Sequence, residues 1–184
     1  PFYFMAGPTY EAMVFILLEY IARNAKGSQK PTVAFVYSDT EFGRDPIAAA
    51  KARAEKMGIP VVLEVVTKPG AVDVSAEMIR MRRAKPDYVI FHGYVLAPIP
   101  EFLRQIREAG LKSVGMGTIW SMDRSTLDAM GAAGDGFLGV MPYRYSFDHV
   151  RTPAFAEMEA FGSRKPNNPW QTMFNKILIA NRGE

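Results

Sequence analysis

Few residues in this sequence have the types and spacing that catalysis requires. The 184-residue chain contains two histidines, His92 and His149, and no cysteine. Thiol catalysis, disulfide bonds and cysteine-containing metal sites are therefore excluded. The spacings HExxH, GxSxG and GxxxxGK(S/T), which mark zinc proteases, serine hydrolases and phosphate-binding loops, do not occur. We therefore expect a protein that is not an enzyme and that needs no cofactor.

Two clusters of residues imitate functional sites. Asp39, Glu41 and Asp45 could ligate a hard cation, but they lie at the start of a predicted helix, where the helix dipole favours carboxylates. We expect no metal there. Four glycines are spaced like a dinucleotide-binding loop, yet they follow a predicted helix and precede a predicted strand, the reverse of the order that a phosphate needs. We interpret them as a turn: Gly131, Gly134, Gly136 and Gly139.

Charge and hydropathy exclude two classes of partner. The 22 basic and 19 acidic residues are spread along the whole chain, as on an ordinary solvated surface, so we expect no nucleic-acid partner. The most apolar stretch, residues 12–18, is followed by Glu19 and is shorter than the ~20 residues of a spanning helix. We expect a buried core helix there and a chain that is not embedded in a membrane.

The apolar pattern alternates between strand-like and helical periods along the chain. Strands are predicted at 2–5, 32–37, 61–66, 88–91, 113–116 and 137–141, and helices at 10–26, 43–57, 74–84, 99–109, 123–130 and 153–161. Successive β-α-β units require right-handed crossovers. The fold class expected is α/β, a doubly wound parallel sheet flanked by helices.

Four of the predicted strands, those that end at Tyr37, Phe91, Met116 and Met141, are followed by loops that carry an aromatic residue, and in open α/β sheets ligands bind at these carboxyl ends. His92 follows such a strand and is either a ligand contact or a structural histidine, whereas His149 lies in a polar loop. The aromatic residues of these loops either line a ligand site or cap the core. As ligand-binding candidates we take Ser38, Asp39, Phe42, Gly93, Tyr94, Ile119 and Trp120.

Several short motifs, in their order and spacing, resemble the type I periplasmic solute-binding proteins of the branched-chain amino acid transporters. They are VAFVYSD at 33–39, PDYV at 86–89 and QIREAGL at 105–111. The resemblance covers residues 2–170, mainly the family's second lobe. It places the family's two aromatic residues at Phe42 and Tyr94. It places the carboxylate that pairs with an amino-acid ammonium at Ile119, beside Trp120. This departure implies an aromatic or apolar carboxylate ligand rather than a free amino acid.

The resemblance also implies a role and a location. A Rossmann-like lobe of this family would bind a small organic molecule and deliver it to the membrane permease of an ABC importer, in the periplasm or another extracytoplasmic space. A sensor lobe of a receptor or regulator with the same fold is the first alternative, and an α/β enzyme is the second. A single lobe leaves its ligand half solvated. We therefore expect weak binding, and self-association through an exposed patch containing Tyr94 and Trp120.

The two ends of the chain carry separate expectations. No export-signal pattern follows Pro1, so a signal is expected to be removed or absent from this chain. Residues 1–170 are expected to form the solute-binding lobe and residues 171–184 a segment outside it. Residues 173–184, MFNKILIANRGE, resemble the opening of biotin carboxylase subunits. No ATP-grasp, biotin or carboxylation residues follow, so we expect a fused or misjoined frame without carboxylase activity.

Overall fold

The computed structural model describes residues 7–25 and 30–142, together with Pro153, Ala156, Glu157 and Ala160. It divides into two units, 1–140 and 141–184. In the second unit the four described residues from Pro153 onwards are helical and fall within the predicted helix 153–161. The predicted strand at 2–5, His149 and the segment 171–184 lie outside the described residues.

The first unit is built on a parallel sheet of five strands in the order β2-β1-β3-β4-β5. The strands are β1 Val33–Ser38, β2 Val61–Thr67, β3 Tyr88–His92, β4 Val114–Gly117 and β5 Leu138–Gly139. The predicted parallel α/β sheet is confirmed. Because the chain moves outward in one direction from β1 to β2 and in the other from β1 to β3, the topological switch point lies between β1 and β3.

Six α-helices and two 3₁₀ turns belong to the described part of this unit. They are α1 Tyr10–Asn24, α2 Glu41–Arg44, α3 Ile47–Lys56, α4 Ser75–Ala84, α5 Ile99–Glu108 and α6 Arg124–Met130, with 3₁₀ turns at Ile119–Met122 and Gly131–Gly134. Side chains cap α1, α2 and α6. Thr9 accepts a hydrogen bond from Ala12 N at 3.1 Å, and Asp123 accepts one from Ser125 N at 2.8 Å.

The single helix predicted at 43–57 is wrong in one respect, since the structure divides it into α2 and α3 around Pro46. Proline has no backbone N–H and cannot donate to the carbonyl four residues earlier. The carbonyl left without this helical bond is that of Phe42, which is used elsewhere in the fold.

Helices cover both faces of the sheet, and alternate residues of β1 supply the two cores. Val33, Phe35 and Tyr37 pack with residues of α1 and α3, while Ala34 and Val36 pack with residues of α4, α5 and α6. All six residues of β1 are buried. This two-sided burial, typical of a central parallel strand, fixes the carboxyl end of β1 in the middle of the sheet edge.

The loops after β1 and β3 pack backbone against backbone. A Cβ atom added to Gly93 would lie 2.4 Å from Ser38 Oγ and 2.8 Å from Gly43 Cα. A Cβ added to Gly43 would lie 2.2 Å from Ser38 Oγ. Gly93 also has φ +84°, a left-handed conformation that favours glycine. Glycine is therefore required at both positions for the two loops to meet.

We expect Gly93→Ala to lower the free energy of unfolding by about 2–4 kcal/mol, because it combines a left-handed backbone with steric overlap. Gly110→Ala is the matched control: Gly110 has φ +67°, but a Cβ there meets no atom within 4 Å. It should cost about 1 kcal/mol. Urea unfolding followed by circular dichroism measures both. Equal losses would show that backbone conformation, and not close packing, accounts for Gly93.

Candidate ligand-binding site

The switch point brings the loops after β1, β3 and β4 to one edge of the sheet. Tyr37 of β1 is in register with His92 of β3, and Phe91 is in register with Gly117 of β4. Side chains that follow these three strands therefore lie next to one another. In open α/β sheets this position forms the crevice in which ligands bind.

Four rings meet here, and we call Tyr10, Phe42, His92 and Trp120 the aromatic cluster. Tyr10 lies with its ring centroid 5.5 Å from that of Phe42 and 5.0 Å from that of His92. Phe42 lies 5.4 Å from His92 and 6.1 Å from Trp120, edge to face, the geometry that aromatic quadrupoles favour. Trp120 Nε1 donates a hydrogen bond to the Tyr10 hydroxyl at 3.1 Å.

The aromatic cluster has a buried base and an exposed rim. His92 is 2% exposed, whereas Trp120 is 41% exposed, and Tyr10 and Phe42 are partly buried. An apolar aromatic surface with polar groups at its margin is the usual composition of a small-molecule site. The arrangement can therefore bind an apolar or aromatic group on its exposed side.

His92 is fixed by hydrogen bonds on both ring nitrogens. Nε2 lies 3.1 Å from the Phe42 carbonyl oxygen, and Nδ1 lies 2.9 Å from Thr118 Oγ1. Because a carbonyl only accepts, Nε2 carries the proton, and neutral Nδ1 accepts from the Thr118 hydroxyl. The Phe42 carbonyl is the one that Pro46 leaves without a helical donor. His92 thus has the structural role that the sequence left as one of two alternatives.

Burial lowers the pKa of His92, against smaller opposing effects from the Phe42 carbonyl and from Asp45. Protonation would turn Nδ1 into a donor, so the Thr118 hydroxyl would have to rotate and accept the hydrogen bond instead. Burial favours the neutral form, in which His92 connects the loops after β1, β3 and β4.

The two candidates at the end of β1, Ser38 and Asp39, differ in burial and in hydrogen-bond partners. Ser38 is fully buried, and its Oγ shares a hydrogen bond with Thr40 Oγ1 at 2.8 Å. Asp39 is exposed; its backbone N–H donates to Thr67 O of β2 at 2.8 Å, and its Oδ1 accepts from Arg44 Nη2 at 2.6 Å. Asp39 and Arg44 therefore form an exposed ion pair beside the loop after β1.

Tyr94 does not join the aromatic cluster within the described contacts. It is 2% exposed and packs in the core beneath α4 and α5, and its hydroxyl shares a hydrogen bond with Thr67 Oγ1 at 2.8 Å. Burial raises its pKa to about 12. The expectation that Tyr94 forms part of an exposed patch is wrong, because its ring turns from the loop into the core.

The remaining candidates are close together. Gly93 packs on Ser38. Ile119, which is partly buried, and Trp120 open the 3₁₀ turn after β4, and Trp120 contacts Phe42. The ligand contacts of all seven candidates stay predictions. Tyr10 was missed by the sequence analysis, because α1 precedes β1 and no strand-end pattern singles out its first residue.

Other kinds of site are not formed by the described residues. Among residues 7–25 and 30–142, no three histidine or carboxylate side chains gather closely enough to hold a metal ion. Within the same ranges no helix has the length and apolar content needed to cross a membrane. Gly131–Gly134 is a 3₁₀ turn between α6 and β5, as the turn interpretation predicts.

The profile of the family described as "Periplasmic binding protein" matches residues 1–180. This chain belongs to that family. A Leu/Ile/Val-binding protein homolog of Brucella abortus is 28% identical over 176 residues, which is 90% of this chain and 43% of the relative. The chain thus spans less than half the length of this curated relative, and the predicted boundary at residue 170 stays a prediction.

Two solved structures agree with this assignment. A branched-chain amino acid ABC transporter protein of Thermus thermophilus, solved with bound valine, has a TM-score of 0.77 and 27% identity over 95% of this chain and 43% of its own. A solute-binding protein of an ABC transporter from Rhodopseudomonas palustris, solved with 3,4-dihydroxybenzoic acid, has a TM-score of 0.56 and 27% identity over 67% of this chain and 34% of its own. The type I periplasmic binding protein fold is confirmed.

We expect the stability of the chain to fall as the pH drops below ~6.5, the ordinary pKa of histidine, in part through His92. Because burial lowers the folded-state pKa of His92, the unfolded chain takes up its proton first, so this contribution is present above ~6.5 and is lost below it. His92→Gln keeps an amide donor and acceptor but does not titrate. Urea unfolding of both proteins between pH 7.5 and 5.5 should show a shallower decline for His92→Gln. Parallel declines would contradict the assignment.

Proposed function

We propose that this chain supplies one lobe of an extracytoplasmic solute-binding protein, which binds a small organic molecule and delivers it to the membrane permease of an ABC importer. The observation that carries the proposal is the aromatic cluster at the β1/β3 switch point of a periplasmic binding protein fold. Relatives described as amino-acid-binding and solute-binding proteins of ABC transporters support it. A second lobe would close over the exposed side of the cluster and remove most of the ligand from water.

The ligand proposed is an aromatic or apolar carboxylate. Valine and 3,4-dihydroxybenzoic acid, the molecules bound in the two structures described above, both carry a carboxyl group. On this lobe Trp120 presents an exposed ring beside the partly buried, apolar Ile119, which stands where the family resemblance places an ammonium-binding carboxylate. An ammonium placed there without a partner would cost several kcal/mol. Trp120, in contrast, can pack on an aromatic ring.

Binding to the 184-residue chain tests both parts of the proposal. Because one lobe leaves the ligand partly solvated, affinities are expected to be weak, and NMR titration suits them. We expect 3,4-dihydroxybenzoate to bind at least tenfold more tightly than leucine or valine. Trp120→Ala should weaken this binding about tenfold through the loss of ring contact.

Ile79→Ala is the matched control, because Ile79 is 55% exposed on α4, away from the cluster, and its truncation should leave the affinity unchanged. Tighter binding of leucine or valine would overturn the ligand class. Unchanged binding by Trp120→Ala would place the ligand elsewhere on the lobe.

A further inference from the structure

Tyr10 has a hydrogen-bond donor that the lobe itself does not use. Its hydroxyl oxygen accepts the indole N–H of Trp120 at 3.1 Å, and a phenol has one O–H donor in addition. Among the described residues no acceptor lies within hydrogen-bond distance of this O–H. We propose that the Tyr10 hydroxyl donates a hydrogen bond to the carboxylate of the ligand, an inference that rests on the function proposed above.

The neighbouring polar side chains are already engaged within the lobe. Both nitrogens of His92 are bonded, and the Ser121 hydroxyl donates to the Thr118 carbonyl at 2.8 Å. The Ser38 and Thr40 hydroxyls bond to each other, and Thr40 also caps α2. Arg44 Nε and Nη2 both donate to Asp39 Oδ1. Within the part of the lobe that the structure describes, the Tyr10 O–H is therefore a donor beside the rings that has no partner.

The position of this hydroxyl is set by packing. The Tyr10 ring lies between Phe42 and His92, with centroids 5.5 and 5.0 Å away, so its direction is fixed before a ligand arrives. Its oxygen accepts a hydrogen bond from the indole N–H of Trp120, a residue that is 41% exposed. A ligand ring packed on Trp120 would therefore carry its carboxylate beside the phenol. Because linked hydrogen bonds strengthen one another, the bond from Trp120 makes Tyr10 a better donor.

This geometry explains how the lobe could recognise a carboxylate through a neutral donor. Carboxylates accept hydrogen bonds only, and a bond to a charged acceptor is stronger than a neutral one. A neutral amide of the same shape gains less from the same donor. Tyr10 is thus proposed as a specificity-determining residue that distinguishes acids from their amides.

The test compares wild type, Tyr10→Phe and Tyr20→Phe, all in a Trp170→Phe background, so that Trp120 is the remaining tryptophan of the two in the chain. With 5-fluorotryptophan incorporated, the ¹⁹F signal of Trp120 reports binding of 3,4-dihydroxybenzoate and of 3,4-dihydroxybenzamide. Tyr20 lies on α1 and is 42% exposed, so its substitution removes a hydroxyl from the same helix outside the cluster.

We expect Tyr10→Phe to raise the Kd for the acid about tenfold or more, as for loss of a hydrogen bond to a charged group, with the Kd for the amide little changed. Tyr20→Phe should change neither. An equal loss for acid and amide would show that Tyr10 only supports the fold, and no loss for either would show that its hydroxyl does not contact the ligand. Both results would overturn the inference and leave the proposed function standing. If neither compound shifts the wild-type signal, the proposed function itself fails.

Discussion

The loops after β1 and β3 pack closely on Ser38 because neither Gly43 nor Gly93 has a side chain. This close approach of two backbones places the start of α2 directly over the end of β3. From there the imidazole of His92 reaches the Phe42 carbonyl, which Pro46 leaves without a helical donor. Two glycines without side chains and a proline without an N–H thus allow one tertiary hydrogen bond. This bond joins His92 and Phe42, two members of the aromatic cluster.

The same hydrogen-bonded connection continues across the sheet edge. His92 accepts from Thr118 after β4, and the 3₁₀ turn that follows carries Trp120 to the edge of the Phe42 ring. Loops from three adjacent strands are therefore held by one buried neutral side chain. The aromatic cluster is therefore ordered by hydrogen bonds beneath it as well as by ring packing.

Much of the fold could be predicted from the sequence, because strand and helix periods alternate clearly and caps such as Thr9 are explicit. The β1 segment is apolar on both faces and could only be a central strand. The site was harder to predict. An aromatic residue after a strand can turn outward, as Trp120 does, or into the core, as Tyr94 does, and no periodicity extends into the loop to distinguish the two. The position of Tyr10 in the cluster could not be predicted from the sequence, because its place beside Phe42 depends on how α1 packs on the sheet.

The hydrogen bond between Tyr10 and Trp120 joins residues 110 positions apart. Closing a chain segment of this length has an entropic cost, which the packing of the intervening elements offsets. The rim of the aromatic cluster therefore depends on every element between α1 and the turn after β4. A chain interrupted at any strand between α1 and β4 would therefore lack the surface that the four rings form together.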